Sequence, residues 1–184
     1  TFKYCESLAE IKGKYTSQDN RCLIVDGKLG SFAPYGLTEY DIPEGVTTIG
    51  DSVFNGCSNL TKITIPTSVT SIEDYAFCNC SSLESINIPE SVTSIGSNAF
   101  AHCESLAEIN IPQSITTLNE GIFQDCINLT NVIIPDSVTY IGWYAFAGCA
   151  NLTTITIPAN VTCIQDYAFA YCTSLVEVAV SDCS

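Results

Sequence analysis

Basic charge is what this sequence has least of. Six lysines and arginines stand against twenty acidic residues, for a formal net charge of −14. Five of the six (Lys3, Lys12, Lys14, Arg21 and Lys28) fall in the first 28 positions, leaving Lys62 alone against sixteen carboxylates in the rest. Such a surface repels phosphate backbones, so nucleic acid and anionic membrane are poor candidate partners. The same charge keeps a β-rich chain in solution. No run of about 18 apolar residues occurs, so no segment reads as membrane-spanning. Histidine is equally scarce: His102 is the only one, no serine or cysteine is placed by the pattern to pair with it, and carboxylates stand singly. Phosphate-cradling glycine motifs are missing too. Neither catalysis nor a bound cofactor is expected. The chain has no initiating methionine, no signal-peptide pattern and no polar cap at either end, and the expectation is a piece or processed form of a longer protein.

What is present is a period. Prolines recur at Pro43, Pro66, Pro89, Pro112, Pro135 and Pro158; phenylalanines at Phe54, Phe77, Phe100, Phe123, Phe146 and Phe169; cysteines at Cys57, Cys80, Cys103, Cys126, Cys149 and Cys172. The spacing is 23 residues throughout, without insertion from Leu37 onward. A self-similar register of this kind denotes a solenoid whose units stack on one another.

Each unit parses into three pieces. LxxIxIP alternates apolar and polar residues and reads as a strand with Ile63 and Ile65 on one face and Thr64 on the other, closed by proline. SVTSI reads as a turn into a short second strand. The third piece opens on Asp51, Asp74, Ser97 or Asp166, good N-cap residues, and its A-F-x-x-C suits a single helical or 3₁₀ turn. Glycine precedes it at Gly50, Gly96 and Gly142, but Glu73, Asn119 and Gln165 replace it elsewhere, so that position does not demand positive φ. Leu, Ile, Val, Ala, Phe and Cys point inward, and one coil is too small to fold alone.

The N-terminus departs from this register. Phe2, Cys5, Leu8 and Ile11 match the second half of a unit, and the register breaks over residues 12–36 before restarting at Leu37. Within the break, RCLIV and KLGSFA flank Asp26-Gly27, the signal of a β-hairpin. The expected organisation is one solenoid over residues 1–184 of about eight coils, with a hairpin insertion at 12–36 and regular repeats over 37–184.

The pattern LxxIxIPxxVxxIGxxAFxxC at period 23 resembles the BspA-like subclass of leucine-rich repeats, found in bacterial surface proteins, and CLIVDGKLGSFAPYGLTEY is similar to a segment common in such proteins of Bacteroides-type bacteria. The resemblance covers Leu37 to Ser181 and, more loosely, residues 2–11. It implies a right-handed β-rich leucine-rich-repeat solenoid of parallel strands. It also implies secretion or display at the cell surface, and adhesion or recognition. No site residues carry over from it.

Six of the eleven cysteines form the repeat column and read as buried free thiols. Cys5 continues the column; Cys22, Cys78, Cys163 and Cys183 follow no visible pairing logic, although Cys163 and Cys183 are within conceivable reach. Cys78, Cys80, His102 and Cys103 superficially suggest zinc, but their offsets do not converge four ligands tetrahedrally. Threonines on the strands (Thr64, Thr156) suggest an ice-matching ladder that Asn87, Asn110 and Ile133 break.

Two surfaces remain as candidate binding sites. One is the outward face of the first strand, where Thr64, Asn87, Asn110 and Thr156 line up with Asp41 and Ile133, beside Glu39, Lys62, Ser85, Glu108, Asn131 and Thr154. The other is aromatic and confined to the last coils: Tyr140, Trp143, Tyr144, Tyr167 and Tyr171, with Trp143 at the N-cap offset and expected to be exposed. The expected partner is a host or neighbouring-cell protein or glycan, or another domain of the same parent chain. The competing expectation is a passive spacer within a larger surface protein.

Overall fold

The computed structural model describes residues 7–181. The chain opens with a hairpin of β1 (Cys22–Val25) and β2 (Lys28–Phe32) and then alternates strands of two faces. These are β3 (Glu39–Asp41) and β4 (Thr48–Ile49), β5 (Lys62–Thr64) and β6 (Ser71–Ile72), β7 (Ser85–Asn87) and β8 (Ser94–Ile95), and β9 (Glu108–Asn110) and β10 (Thr117–Leu118). There follow β11 (Asn131–Ile133) and β12 (Tyr140–Ile141), then β13 (Thr154–Ile157) and β14 (Cys163–Ile164), ending on β15 (Glu177–Val180). Odd strands from β3 onward form the long face, in parallel register 23 residues apart, as Ile63 opposite Ile86 shows. Even strands form the short face in the same register, Ile49 opposite Ile72. The result is a leucine-rich-repeat β-solenoid. Its long face has seven strands among the described residues, against the eight coils expected, because the repeat-like half-unit at Phe2 and Cys5 lies outside them.

The interior is a set of columns. Phe54, Phe77, Phe100, Phe123 and Phe146 have no solvent exposure, and successive rings lie 5.1 to 5.8 Å apart. The cysteine column runs beside them and does more than fill space. Cys80, Cys103, Cys126 and Cys149 each donate a thiol hydrogen bond at 3.2 Å to a phenylalanine carbonyl of the preceding coil: Phe54, Phe77, Phe100 and Phe123. Burial pushes these thiols well above their ordinary range. No disulfide joins the cysteines among the described residues; Cys183, and any bridge from it to Cys163, lies outside them.

The third piece of each unit is not a helical or 3₁₀ turn, and no helix forms among the described residues. Two positions per turn hold left-handed φ, as at Ser52, Asn98 and Tyr144 and again at Asn79, His102 and Asp125. Alternate amides then point along the axis: Phe54 N donates to Ala76 O at 2.8 Å and Phe77 N to Ala99 O at 2.8 Å. A helix would need those donors within its own turn, so inter-coil bonding replaces it. One expected N-cap acts across coils as well, Asp74 Oδ1 accepting from Ser97 N at 2.7 Å. As expected, Gly50, Gly96 and Gly142 do not adopt positive φ. What selects glycine is proximity: a Cβ on Gly96 would lie 2.5 Å from Asp74 N and 2.6 Å from the carbonyl carbon of Glu73.

The hairpin is part of the stack. Asp26 (φ 49°) and Gly27 (φ 76°) make a tight turn of the mirror-image kind that suits two-residue hairpins. β2 pairs in parallel with β4, Leu29 opposite Ile49, and so supplies the first strand of the short face. Phe32 sits 4.7 Å from Phe54 and 4.6 Å from Tyr40, extending the aromatic column by one ring. Cys22 Sγ lies 3.0 Å from Tyr40 Oη in a buried pair, and burial pushes the Cys22 thiol up to about 12. Lys28 binds Glu73 at 2.6 Å, tying hairpin to coil.

Candidate functional site

Because side chains alternate along a strand, each long-face strand from β3 to β11 buries its central residue and exposes the two beside it. Stacking at one register turns these outward residues into two straight columns. Thr64, Asn87, Asn110 and Thr156 are all exposed in one of them. The structure brings Asn87 and Asn110 together in a shallow depression of about 420 Å³, with Ser85, Glu108, Asn131 and Ile133 around them. Thr64 and Thr156 lie outside it. Ile133 is 73% exposed, an aliphatic side chain standing where the other strands from β3 to β13 carry Asp, Asn or Thr, with Ala179 following on β15. Its sequence signal was the one apolar residue between Asp41 and Thr156 in that column, which reads first as a gap in the threonines. Glu108 is the only charged residue lining the depression.

The aromatic residues lie on the turn side of the last coils. Tyr140 is half-buried on β12. Trp143 is 46% exposed, and Tyr144 stacks on Tyr167 with centroids 5.3 Å apart and planes 6° from parallel. Tyr171, 79% exposed, belongs to the far end of the following turn. His102 Nδ1 lies 3.5 Å from Asp125 Oδ2 at the surface, while Cys78, Cys80 and Cys103 are buried. Among the described residues no three His, Cys, Asp or Glu side chains are grouped to hold a metal ion, and no helix is long and apolar enough to cross a membrane.

Parallel strands stacked at a fixed 23-residue register, with a break between β11 and β13 on the long face and between β8 and β10 on the short one, and interior leucine, isoleucine and phenylalanine columns define a repeat protein of the leucine-rich class. The profile of the BspA-type leucine-rich repeat region matches in six copies over residues 28–141 and 94–183, and the chain belongs to that family. Among solved structures it is similar to the leucine-rich-repeat protein of T. pallidum, with 30% identity and a TM-score of 0.79 over 92% of this chain and 81% of that one. It is also similar to a leucine-rich-repeat protein from Eubacterium ventriosum, with 27% identity and a TM-score of 0.72 over 99% of this chain and 56% of that one. A leucine-rich cell surface protein from Faecalibacterium prausnitzii shares 27% identity with a TM-score of 0.53, over 80% of this chain and 60% of that one. The chain therefore spans little more than half the length of the latter two. No curated protein matches it.

Proposed function

We propose that the chain is a non-enzymatic recognition module of a secreted or surface-displayed protein, and that its long face docks a protein of the host or of a neighbouring cell. The observation that carries this is the depression around Asn87 and Asn110: a rigid floor, short hydrogen-bonding side chains, and Ile133 held in water at its rim. An exposed aliphatic group beside a row of amides supplies apolar burial and polar pairing to the same contact. Surface display is supported by the family and by the similarity to the Faecalibacterium cell surface protein.

The test is binding to immobilised host matrix proteins. Asn110→Arg and Ile133→Asp should each weaken capture about tenfold or more, a loss of about 1.4 kcal/mol, with the unfolding midpoint unchanged. Saturable binding that both variants leave intact would move the site elsewhere. Absence of saturable binding to any matrix protein or glycan would leave the chain as a spacer.

A further inference from the structure

Many polar side chains of this solenoid hold one coil to the next. Asn79 bonds to Asn55, Asn151 to Asn128, Asn119 to Ile95 O and Asn160 to Asp136 O, each in the preceding coil. Ser68, Ser91 and Ser137 donate to carbonyls of the coil before them in the same way. Among the described residues Asn87, Asn110 and Asn131 make no such bond, and Glu108 forms no ion pair. Asn87 and Asn110 stand one coil apart, as Asn128 and Asn151 do, yet only the latter pair is bonded, at 3.2 Å. The backbone shows the same gap. β7 and β9 pair at Ser85–Glu108 and Ile86–Ile109, and their ladder stops short of Asn87 and Asn110. β5 with β7 and β9 with β11 keep the corresponding pair, Thr64–Asn87 and Asn110–Ile133. The sheet is interrupted again between β11 and β13. The depression lies between these two interruptions, and its polar side chains are exposed.

We infer that the depression receives an extended segment of a basic protein, with an arginine of that segment against Glu108; this rests on reading the long face as a docking surface and adds the chemistry of its partner. Glu108 is the one charge in the depression, and Glu84, beside Ser85 in the chain, adds a second exposed carboxylate. No lysine or arginine occurs after Lys62, which stands two coils away in the Glu108 column. The local field therefore attracts a cation. A guanidinium bonds a carboxylate through two parallel N–H donors and keeps others for neighbouring amide oxygens, which a lysine ammonium cannot match in geometry. Glu108 and Ile133 lie on adjacent strands two residues apart in register, Asn131 facing Glu108 and Ile133 facing Asn110. Their backbones are about 8 Å apart, from strands about 4.8 Å apart and a rise of about 3.3 Å per residue. Alternate side chains of an extended ligand recur at about 6.6 Å, so an arginine at Glu108 sets an apolar residue two positions away against Ile133. Asparagine amides offer both donors and an acceptor to the main chain between them. No aromatic ring lines the depression, so it lacks the flat surface on which a sugar ring stacks.

The test is an array of immobilised threonine-based pentapeptides in which arginine, lysine, glutamine or glutamate stands two positions from valine, with neutral oligosaccharides on the same surface. The chain should bind the arginine peptides saturably and more tightly than any other spot. Glu108→Gln should weaken that binding at least about tenfold, as loss of a hydrogen bond between charged groups does, and leave the thermal midpoint unchanged. Glu177→Gln makes the same charge change at an exposed residue of the same column, three coils on, and should leave the affinity as it is. Equal loss in both variants would show a diffuse field in place of a site and overturn the inference. So would lysine peptides bound as tightly as arginine ones, unaltered affinity in Glu108→Gln, binding to oligosaccharides alone, or no binding to any peptide. If the array is negative while capture of a matrix protein still depends on Asn110 and Ile133, this inference fails alone. If capture is absent as well, the docking reading fails with it.

Discussion

A thiol of the central column is a proton held in place by the fold. Cys80, Cys103 and Cys126 are fully buried and donate to carbonyls, so burial keeps them protonated far above the ordinary cysteine range. In the unfolded chain the same groups ionise near pH 8.5, so above that value the native state binds more protons than the unfolded one. The contribution is fully present below about pH 8.5 and falls as pH rises, by about 1.4 kcal/mol per pH unit for each such thiol. Urea midpoints measured from about pH 7 to pH 10 should show this loss, and a flat profile would refute the accounting. Cys103→Ala should lower stability by about 1–2 kcal/mol at neutral pH, through lost packing, reduce the alkaline slope by one thiol's share, and leave ligand binding unaltered. That the column is buried followed from its period. That each thiol is a directed donor did not, because a 23-residue spacing fixes which coil stands next to a cysteine but not which carbonyl its sulfur meets.

At the scale of the element, the alternating strand pattern and the Asp26-Gly27 turn were both readable, since each follows from local chemistry that stacking reinforces. The A-F-x-x-C segment was misread for the opposite reason. Its local preferences suit a helical turn, while its amides are claimed by the next coil, and Asn79, His102 and Asp125 show the left-handed φ that results. The hydroxyl ladder was likewise looked for in the wrong place. Thr47, Thr70, Thr93, Thr116, Thr139 and Thr162 form an unbroken exposed column just before the short-face strands, where Thr70 Oγ1 donates to Thr47 O and Thr93 Oγ1 to Thr70 O at 3.2 Å. The close approach at Gly96 carries a prediction of its own. Gly96→Ala should destabilise by about 1–3 kcal/mol through overpacking, because the Cβ meets backbone of the preceding coil at Asp74 N and Glu73 C as well as the Asp74 carboxylate, and that backbone cannot swing away. Thermal unfolding of this variant beside an alanine replacement at Gly30, which has no left-handed φ and where a Cβ comes no nearer than 4.0 Å to Leu23 O, separates that contact from loss of glycine as such.

For the whole molecule, stability is a sum over neighbouring coils, and the sum is uneven. Ile141 is fully buried, whereas Ile164 one coil later is 47% exposed; Ile155 is 3% exposed and Val178 54%. Hydrogen exchange should therefore be at least about tenfold faster across β14 and β15 than across β5 to β9, local opening following the number of buried apolar contacts. Uniform protection would contradict this. The candidate sites were legible only in part for a related reason. Periodicity showed which residues face outward, and Asn87 and Asn110 followed; the depression they share, and Ile133 at its rim, depend on how successive strands are set beside one another. The pairing of Tyr144 with Tyr167 was implicit in the register, since they are 23 residues apart.

The uniform column of phenyl rings also bears on how such a chain would yield under load. The coils at β14 and β15 bury least, so a pull on the two ends should peel coils off in sequence from there. Each released coil would add about 75 Å of slack, from 23 residues at roughly 3.3–3.6 Å apiece less the inter-strand spacing of about 4.8 Å. A tether of this kind lengthens stepwise and dissipates work before its attachment fails.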